Sequence, residues 1–337
     1  MKLIKTVIAS LAVSLLLCAA AQAAAPQVRT QAPGYYRMML GSFEVTALLD
    51  GTHTFPVQQV MLRNETGSDG KRQAVKLSEQ HPGEAEALLA AERLKLPLEG
   101  AINAFLINTG EKLILIDSGA GSLYGDCCGH LLENLKAAGY RPEQVDEIYI
   151  THLHADHIGG IAPHGKAAFP NAIVRVNQKD IDYWLDPASE GKAPAFLRSM
   201  FEGDRASLAP YQQQDRLRPF KDGDELSPGI RAIATHGHTP GHTSYEVTSG
   251  SQRLLVWGDL VHVAPIQFRD PAITLTYDSD PFAAEDRRTA IFADAATEGT
   301  WIAAAHIAFP GIGHIVASGM RFAWIPASYT SLLTPKP

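Results

Sequence analysis

Apolar and polar residues alternate with a period of two from Tyr36 to Val57, with breaks at Gly41 and Asp50-Gly51. That rhythm predicts antiparallel strands joined by hairpins. After the polar stretch from Asn64 to Arg72, GEAEALLAAERLK at 83–95 has helical spacing and strong helix formers. AINAFLINTGEKLILIDSG (101–119) reads as two buried strands across the turn at Thr109-Gly110, and LLENLKAAGY (131–140) as a helix stopped by Gly139. VDEIYI (145–150), a short apolar strand, then runs straight into THLHADH at 151–157. The same device returns three times. IRAIAT (230–235) runs into HGHTPGH (236–242), RLLVWG (253–258) into Asp259, and WIAAA (301–305) into His306. Titratable side chains thus sit repeatedly just past the carboxyl end of an apolar strand, where α/β sheets place their sites. The polar stretch from Pro187 to Arg218 reads as a helical insertion or lid, with Trp184 before it and Phe196, Met200 and Phe201 inside it.

The first residues change the picture of where the chain works. Lys2 and Lys5 precede an apolar run from Leu11 to Ala20, and Ala21-Gln22-Ala23 fits a small-residue cleavage pattern. Residues 1–23 are therefore expected to be a signal peptide, leaving 24–337 as one secreted or periplasmic domain. The run is too short for a membrane anchor, which needs about 20 apolar residues. No other segment is long and apolar enough, so no membrane association is expected after signal removal. Losing two lysines takes the formal charge from −7 to −9, and an acidic balance of this kind argues against a nucleic-acid partner. Of three cysteines, Cys127 and Cys128 lie beyond the signal, as neighbours in GDCCGH. Free thiols and a strained vicinal bridge both remain open for them.

THLHADH carries the chemistry. His152 and His154 alternate as on an extended chain, and Asp156 and His157 follow after the backbone turns, so the two pairs can serve adjacent cations. Gly159 and Gly160 then permit a tight turn. Nitrogen and carboxylate donors without thiolate suit zinc, with manganese, cobalt or iron as other occupants. Two such cations would share a hydroxide formed from water at neutral pH, so no serine or cysteine nucleophile is needed.

At these residues the chain resembles the metallo-β-lactamase superfamily, and within it the methyl parathion hydrolases, secreted phosphotriesterases. The resemblance rests on APGYYRMMLGSFEVTALLDGT, AAGYRPEQVDEIYITHLHADHIGG, HGHTPGHTSY and FPGIGHI, with ILIDSG, VWGDL and AAAHIAFPG in the same order. It implies an α/β fold, the four-layer αβ/βα sandwich. By motif it also implies that His152, His154 and His242 hold one divalent metal ion, and that Asp156, His157 and His306 hold a second. Asp259 would bridge them, with Asp156 and Asp259 flanking the metal-bound hydroxide. Asp117 would act behind the site as a hydrogen-bond acceptor. His236 and His238 are read as outer groups that orient His242. His306 is preferred over His314 because it directly follows an apolar strand. His53, His81, His130 and His164 are read as surface or loop residues, and His262 as a pocket residue. A leaving-group pocket is implied at Tyr124, Trp184, Phe196, Phe201 and Tyr277, and a homodimer is an open assembly.

The expected function is a dinuclear metal-dependent hydrolase of organophosphate triesters and of lactones or aryl esters. The two tyrosines make the pocket more polar than the resemblance implies, so the alternative is a lactonase or arylesterase with weak phosphotriesterase activity. A β-lactamase, a thioesterase of the glyoxalase kind and a di-iron electron carrier fit the ligand set less well. A secreted, non-catalytic zinc-binding protein is the alternative from a different class.

Overall fold

A computed structural model describes residues 25–319 and 321–333, so the expected signal peptide at 1–23 lies outside the described residues. Residues 25–32 carry no regular secondary structure. From residue 33 onward the chain forms one compact unit.

In chain order the strands are β1 (Tyr35–Leu40), β2 (Phe43–Phe55), β3 (Met61–Thr66), β4 (Arg72–Lys76), β5 (Leu98–Asn108), β6 (Leu113–Ile116), β7 (Glu147–Tyr149) and β8 (Ile173–Arg175). They continue as β9 (Glu225–Ser227), β10 (Ile230–Ala234), β11 (Thr243–Ser249), β12 (Gln252–Val256), β13 (Ile273–Leu275), β14 (Trp301–Ala303), β15 (Ile312–Ser318) and β16 (Arg321–Pro326). One sheet has the order β1-β2-β5-β6-β7-β8, a second the order β16-β15-β14-β12-β11-β10-β9, and a small third sheet the order β13-β3-β4.

The two large sheets face each other across an apolar core. Val45, Phe105, Ile114 and Ile116 from the first meet Ile230, Tyr245, Val247 and Val256 from the second. The other face of the first sheet, with Leu48, Leu106, Leu115, Ile148 and Val174, packs on helical residues such as Leu135, Phe201 and Leu208. The other face of the second sheet packs Ile302 and Ile315 on Phe292 and Ala295 of the helix Pro281–Glu298. Helix, sheet, sheet and helix give the four-layer sandwich that the family resemblance implies. A sheet with apolar residues on both faces needs cover on both sides, which explains the continuous apolar runs at β6, β7 and β14.

Two sequence readings need correction. Asp50-Gly51 is no hairpin turn, because β2 runs on through it to Phe55 with a shift in its pairing to β5 between Leu49 and Gly51. Asp50 is the extra residue of a bulge, and its carboxylate accepts the backbone N–H groups of Ala120, Gly129 and Leu131. The predicted helix at 83–95 is confined to Glu84–Ala91. The Pro187–Arg218 insertion is helical as expected, with its long segment at Arg198–Gln213.

β6 and β7 are parallel, as are β12 and β14, so their carboxyl ends point alike within each sheet. Those ends carry the loops of the site.

Candidate metal centre

Six of the seven predicted ligands converge at these strand ends. Beyond β7, His152 lies in a bend rather than on the extended chain expected, with His154 N–H turned back to its carbonyl, and Asp156 and His157 lie on the short helix Ala155–Ile158. Asp259 follows β12 and His306 follows β14. All six are buried.

Asp259 organises the cluster. Its Oδ1 lies 3.1 Å from His157 Nε2 and 3.2 Å from His306 Nε2. Its Oδ2 lies 3.5 Å from His152 Nε2 and 3.2 Å from His238 Nε2. One carboxylate oxygen therefore faces each half of the cluster. Asp156 Oδ2 completes the second half, 3.3 Å from His306 Nε2. Ligand atoms of His152, His154, His238 and Asp259 form one group within 4.8 Å, and those of Asp156, His157 and His306 form another.

His238, which the sequence reading left outside the ligand set, thus joins this group, and the predicted ligand His242 is buried beside it with its ring 5.1 Å from that of His152. The Nε2 of His242 instead accepts the backbone N–H of Asp259 at 3.0 Å, and its Nδ1 faces the carbonyl of Thr235 at 3.0 Å. The reason is local. Thr243 opens β11, so His242 is already drawn into the sheet, whereas His238 sits on the loop before it. That loop is fixed by Gly237, whose φ of 135° only glycine readily adopts, and by Ser279 N–H donating to the His238 carbonyl. The strand pattern TSYEV starting at Thr243 was the available clue.

The rear nitrogens settle which way the rings point. His157 Nδ1 donates to Asp117 Oδ2 at 2.9 Å, His238 Nδ1 to Asp278 Oδ1 at 2.6 Å, and His306 Nδ1 to the carbonyl of Ala101 at 2.8 Å. Each neutral ring then presents its Nε2 lone pair to carboxylate oxygens about 3 Å away, an arrangement that is repulsive unless a cation lies between. Moreover, Nε2 of His152, His154 and His157 and Oδ1 of Asp259 are buried with no hydrogen-bond partner. Such groups are costly to leave unpaired. The donor set, the lone-pair directions and the unpaired atoms all fit two divalent cations.

Protons are the competitors for those lone pairs. Burial opposes the charged imidazole, but Asp259 and its neighbouring acids outweigh burial, raising His157 and His306 and taking His238 up to about 9. Burial and the surrounding rings push His152 and His154 well down. Asp259 is held well below the ordinary carboxylate range because the rings around it overcome its desolvation.

Buried acids behind the cluster hold the loops. Asp117, at φ 60°, accepts Thr151 N–H, Thr151 Oγ1–H and His157 Nδ1–H, the rear role expected of it. Asp180 accepts Leu153 N–H, Thr239 Oγ1–H and Gly241 N–H, joining the loop after β7 to the loop before β11. Gly159 and Gly160 allow the helix bearing Asp156 to lie against the loop after β6. A Cβ on Gly160 would fall 1.9 Å from the carbonyl oxygen of Ser118.

A cavity of about 70 Å³ opens on the cluster, lined by Tyr124, Tyr277, His53, Phe55, Met200 and His262 among others. Tyr124 and Tyr277 are where the sequence reading put them, and Tyr124 Oη donates to Asp156 Oδ1 at 3.2 Å. Trp184 and Phe201 are not in the cavity. Trp184 packs edge-on against the His154 ring at 5.1 Å, and Phe201 lies behind it at 4.5 Å in the helix-side core. Phe196 is half-exposed, with its ring 6.0 Å from that of Tyr277. His53 is a lining residue rather than a surface one, placed there by the β2 bulge. His262 lies on the floor, with Nε2 2.9 Å from Asp259 Oδ2. His236 and His314 lie elsewhere, the first on Asp222 and the second on Trp301.

Known proteins share this arrangement of sheets. The profile of the Metallo-beta-lactamase superfamily matches residues 97–306. The crystal structure of the hydrolase AbOPH of the beta lactamase superfamily superposes with a TM-score of 0.81 at 38% identity, covering 90% of this chain and 100% of that one. AidC, a dizinc quorum-quenching lactonase solved with its product N-hexanoyl-L-homoserine, superposes with a TM-score of 0.75 at 26% identity, covering 88% and 99%. An N-acyl homoserine lactonase of Agrobacterium fabrum is 31% identical over 121 residues, 34% of this chain and 41% of that protein. A probable metallo-hydrolase of Mycobacterium tuberculosis is 26% identical over 191 residues, 48% of this chain and 59% of that protein, so the chain spans about half the length of these curated relatives. With the profile covering well over half its length and with AbOPH matched from end to end, the chain belongs to the metallo-β-lactamase superfamily.

Proposed function

We propose that this chain is a dinuclear, zinc-dependent hydrolase of lactones and aryl esters. The observation that carries the reading is the division of Asp259, one oxygen toward His152 and His238 and the other toward His157 and His306. His152, His154 and His238 would hold one ion, Asp156, His157 and His306 the other, with Asp259 shared. Bound there, divalent ions would polarise the scissile carbonyl or phosphoryl oxygen and make a nucleophile of water near neutral pH.

The chain's own residues do the rest. Asp117, Asp278 and the Ala101 carbonyl fix the rings so that their Nε2 atoms face inward, which avoids reorganisation during the reaction. Tyr124 tethers the outer oxygen of Asp156, leaving the inner one toward the cluster. The tyrosine hydroxyl stays protonated, since burial and the neighbouring acids raise it well above its ordinary range. Its single proton is therefore retained for the hydrogen bond to Asp156. Phe55 and Met200 supply apolar wall.

The lactonase relatives support a lactone, and the small cavity with its two hydroxyls suits a compact ring ester. Organophosphate triesters are kept as slower substrates, since the two tyrosine hydroxyls make the wall more polar than an aryl leaving group favours. Assays of zinc-loaded protein on an N-acyl homoserine lactone, dihydrocoumarin, phenyl acetate and methyl paraoxon test the reading. Turnover of a lactone or aryl ester, lost on chelation and restored by zinc, is expected. A metal-loaded protein inert toward all four would leave only metal storage. Residues 1–23 are proposed as an export signal, so a secreted or periplasmic product beginning at Ala24 is expected by intact mass.

A further inference from the structure

We propose that Cys127 and Cys128 form a thiol modification site, oxidised by low-molecular-weight disulfides to an intrachain bond, and that this bond acts on the metal centre through Tyr124. The two Sγ atoms lie 2.6 Å apart. That is well inside the contact distance of unbonded atoms, about 3.5 to 4 Å even for carbon. Neighbouring residues on extended chain point their side chains to opposite sides. Here the single turn Gly125–Cys127, entered with Gly125 at φ 69°, brings both sulfurs to one side.

The backbone around the pair is fixed from two directions. A Cβ on Gly51 would fall 2.3 Å from the Cys127 carbonyl oxygen and 2.7 Å from Cys128 Cα, so the β2 bulge lies directly against the pair. The Asp50 carboxylate accepts Gly129 N–H at 3.0 Å and Leu131 N–H at 3.1 Å just beyond it. The backbone that carries both sulfurs is therefore held in place by the bulge. Access is open on the outer side. Cys127 is partly exposed, and Cys128, with Asp126 and Gly129, lines a surface cavity of about 340 Å³ separate from the substrate cavity.

Oxidation proceeds by two exchanges. The Cys127 thiolate attacks one sulfur of the reagent and releases one thiol. Cys128 then attacks the Cys127 sulfur of the mixed disulfide and releases the second. Two protons and two electrons leave the protein, and the reagent disulfide becomes two thiols.

The consequence reaches the metal centre through Tyr124. In the reduced state the Cys127 thiol donates to the Tyr124 carbonyl at 3.4 Å, and Tyr124 Oη donates to Asp156 Oδ1. An oxidised sulfur has no proton to donate, so the anchor on the Tyr124 backbone is lost. The hydroxyl then no longer holds Asp156 in the same position.

The effect on hydrolysis rests on the function proposed above, and two readouts that do not need activity accompany it. Metal-loaded full-length protein is treated with oxidised glutathione, then the tryptic peptide Leu113–Lys136 is weighed and cobalt-loaded protein is examined by visible absorption. Expected are a peptide lighter by about 2 Da, as two lost hydrogens require, and a shifted cobalt spectrum, both reversed by a phosphine reductant. KM for the best ester should change by about 2- to 10-fold, the equivalent of one lost hydrogen bond. The double variant Cys127→Ser/Cys128→Ser should show no response, and Tyr124→Phe should keep the mass change while losing the spectral and kinetic ones. Persistent glutathione adducts on the wild type, unreacted thiols, or oxidised and reduced proteins with the same cobalt spectrum would overturn the proposal. A chain that hydrolyses nothing yet shows the mass and spectral changes would defeat the hydrolase reading alone.

Discussion

Replacing His238 and His242 separately distinguishes the ring that faces the cations from the ring that supports the loop. His238 Nε2 lies 3.2 Å from Asp259 Oδ2 and 3.1 Å from His154 Nδ1, so His238→Ala removes a donor from the first half of the cluster. Zinc held by four protein ligands is bound by roughly 10–16 kcal/mol, about 2.5–4 kcal/mol per ligand, so the loss should weaken that ion by about 10²- to 10³-fold. His242→Ala has a different cost. It leaves the buried Asp259 N–H without its acceptor, worth about 1–3 kcal/mol of stability. At roughly 2–4 °C per kcal/mol for a chain of this size, melting should fall by several degrees. The assay is metal content per chain after dialysis against buffered nanomolar zinc, paired with thermal melting. The expected result is close to one zinc lost in His238→Ala and none in His242→Ala. If His242→Ala loses the metal while His238→Ala keeps it, the assignment of ring to role is wrong, and so is the division of Asp259 between two cations.

Further expectations follow from the packing behind the centre. Gly160→Ala should prevent folding or cost at least about 3 kcal/mol in urea titration, because a Cβ there meets a carbonyl oxygen that belongs to rigid backbone. Asp117→Asn tolerates the left-handed backbone but cannot accept all three of its donors, so affinity for the ion at His157 should fall by about 10- to 100-fold with the fold retained, read by zinc titration. Chelation should lower the melting temperature and zinc at about a thousand times its dissociation constant should raise stability by roughly 4 kcal/mol, read by calorimetry. Acid should mimic the chelator. The rings that face Asp259 are raised in the metal-free protein, His238 to about 9, so protons compete with metal from about pH 9 downward and bound zinc should decline progressively as pH falls, as measured by equilibrium dialysis.

Much of the site is legible in the sequence because its geometry is local to strand ends. THLHADH places four groups within one strand-end loop and the turn of helix that follows it, and Asp259 and His306 are found because each ends an apolar strand. His238 in the cluster was less legible for the opposite reason. Two histidines four residues apart in HGHTPGH bracket a turn, and which one faces the cluster depends on where β11 begins. Of the aromatic residues, Tyr124 and Tyr277 line the cavity, and two others do not. Trp184 and Phe201 have the composition of a pocket wall, yet their burial is decided by how the Arg198–Gln213 helix docks, a contact between segments distant in sequence. Asp50-Gly51 carries the letters of a turn, and only pairing with β5 turns it into a bulge.

That bulge has a structural consequence of its own. Before it, Leu48 pairs with Ala104 and points to the helix-covered side of the sheet. After it, His53 pairs with Gly100 and Phe55 with Leu98, so odd-numbered residues take the side that even-numbered ones held. Regular pairing of the same residues, with Asp50 opposite Ile102 and no bulge, would instead bring Thr52 and Thr54 to the substrate side, with the imidazole and the benzyl ring turned away. A frame slip of one amino acid, well away from any ligand, would thus re-line the chamber while leaving every cation-facing group in place.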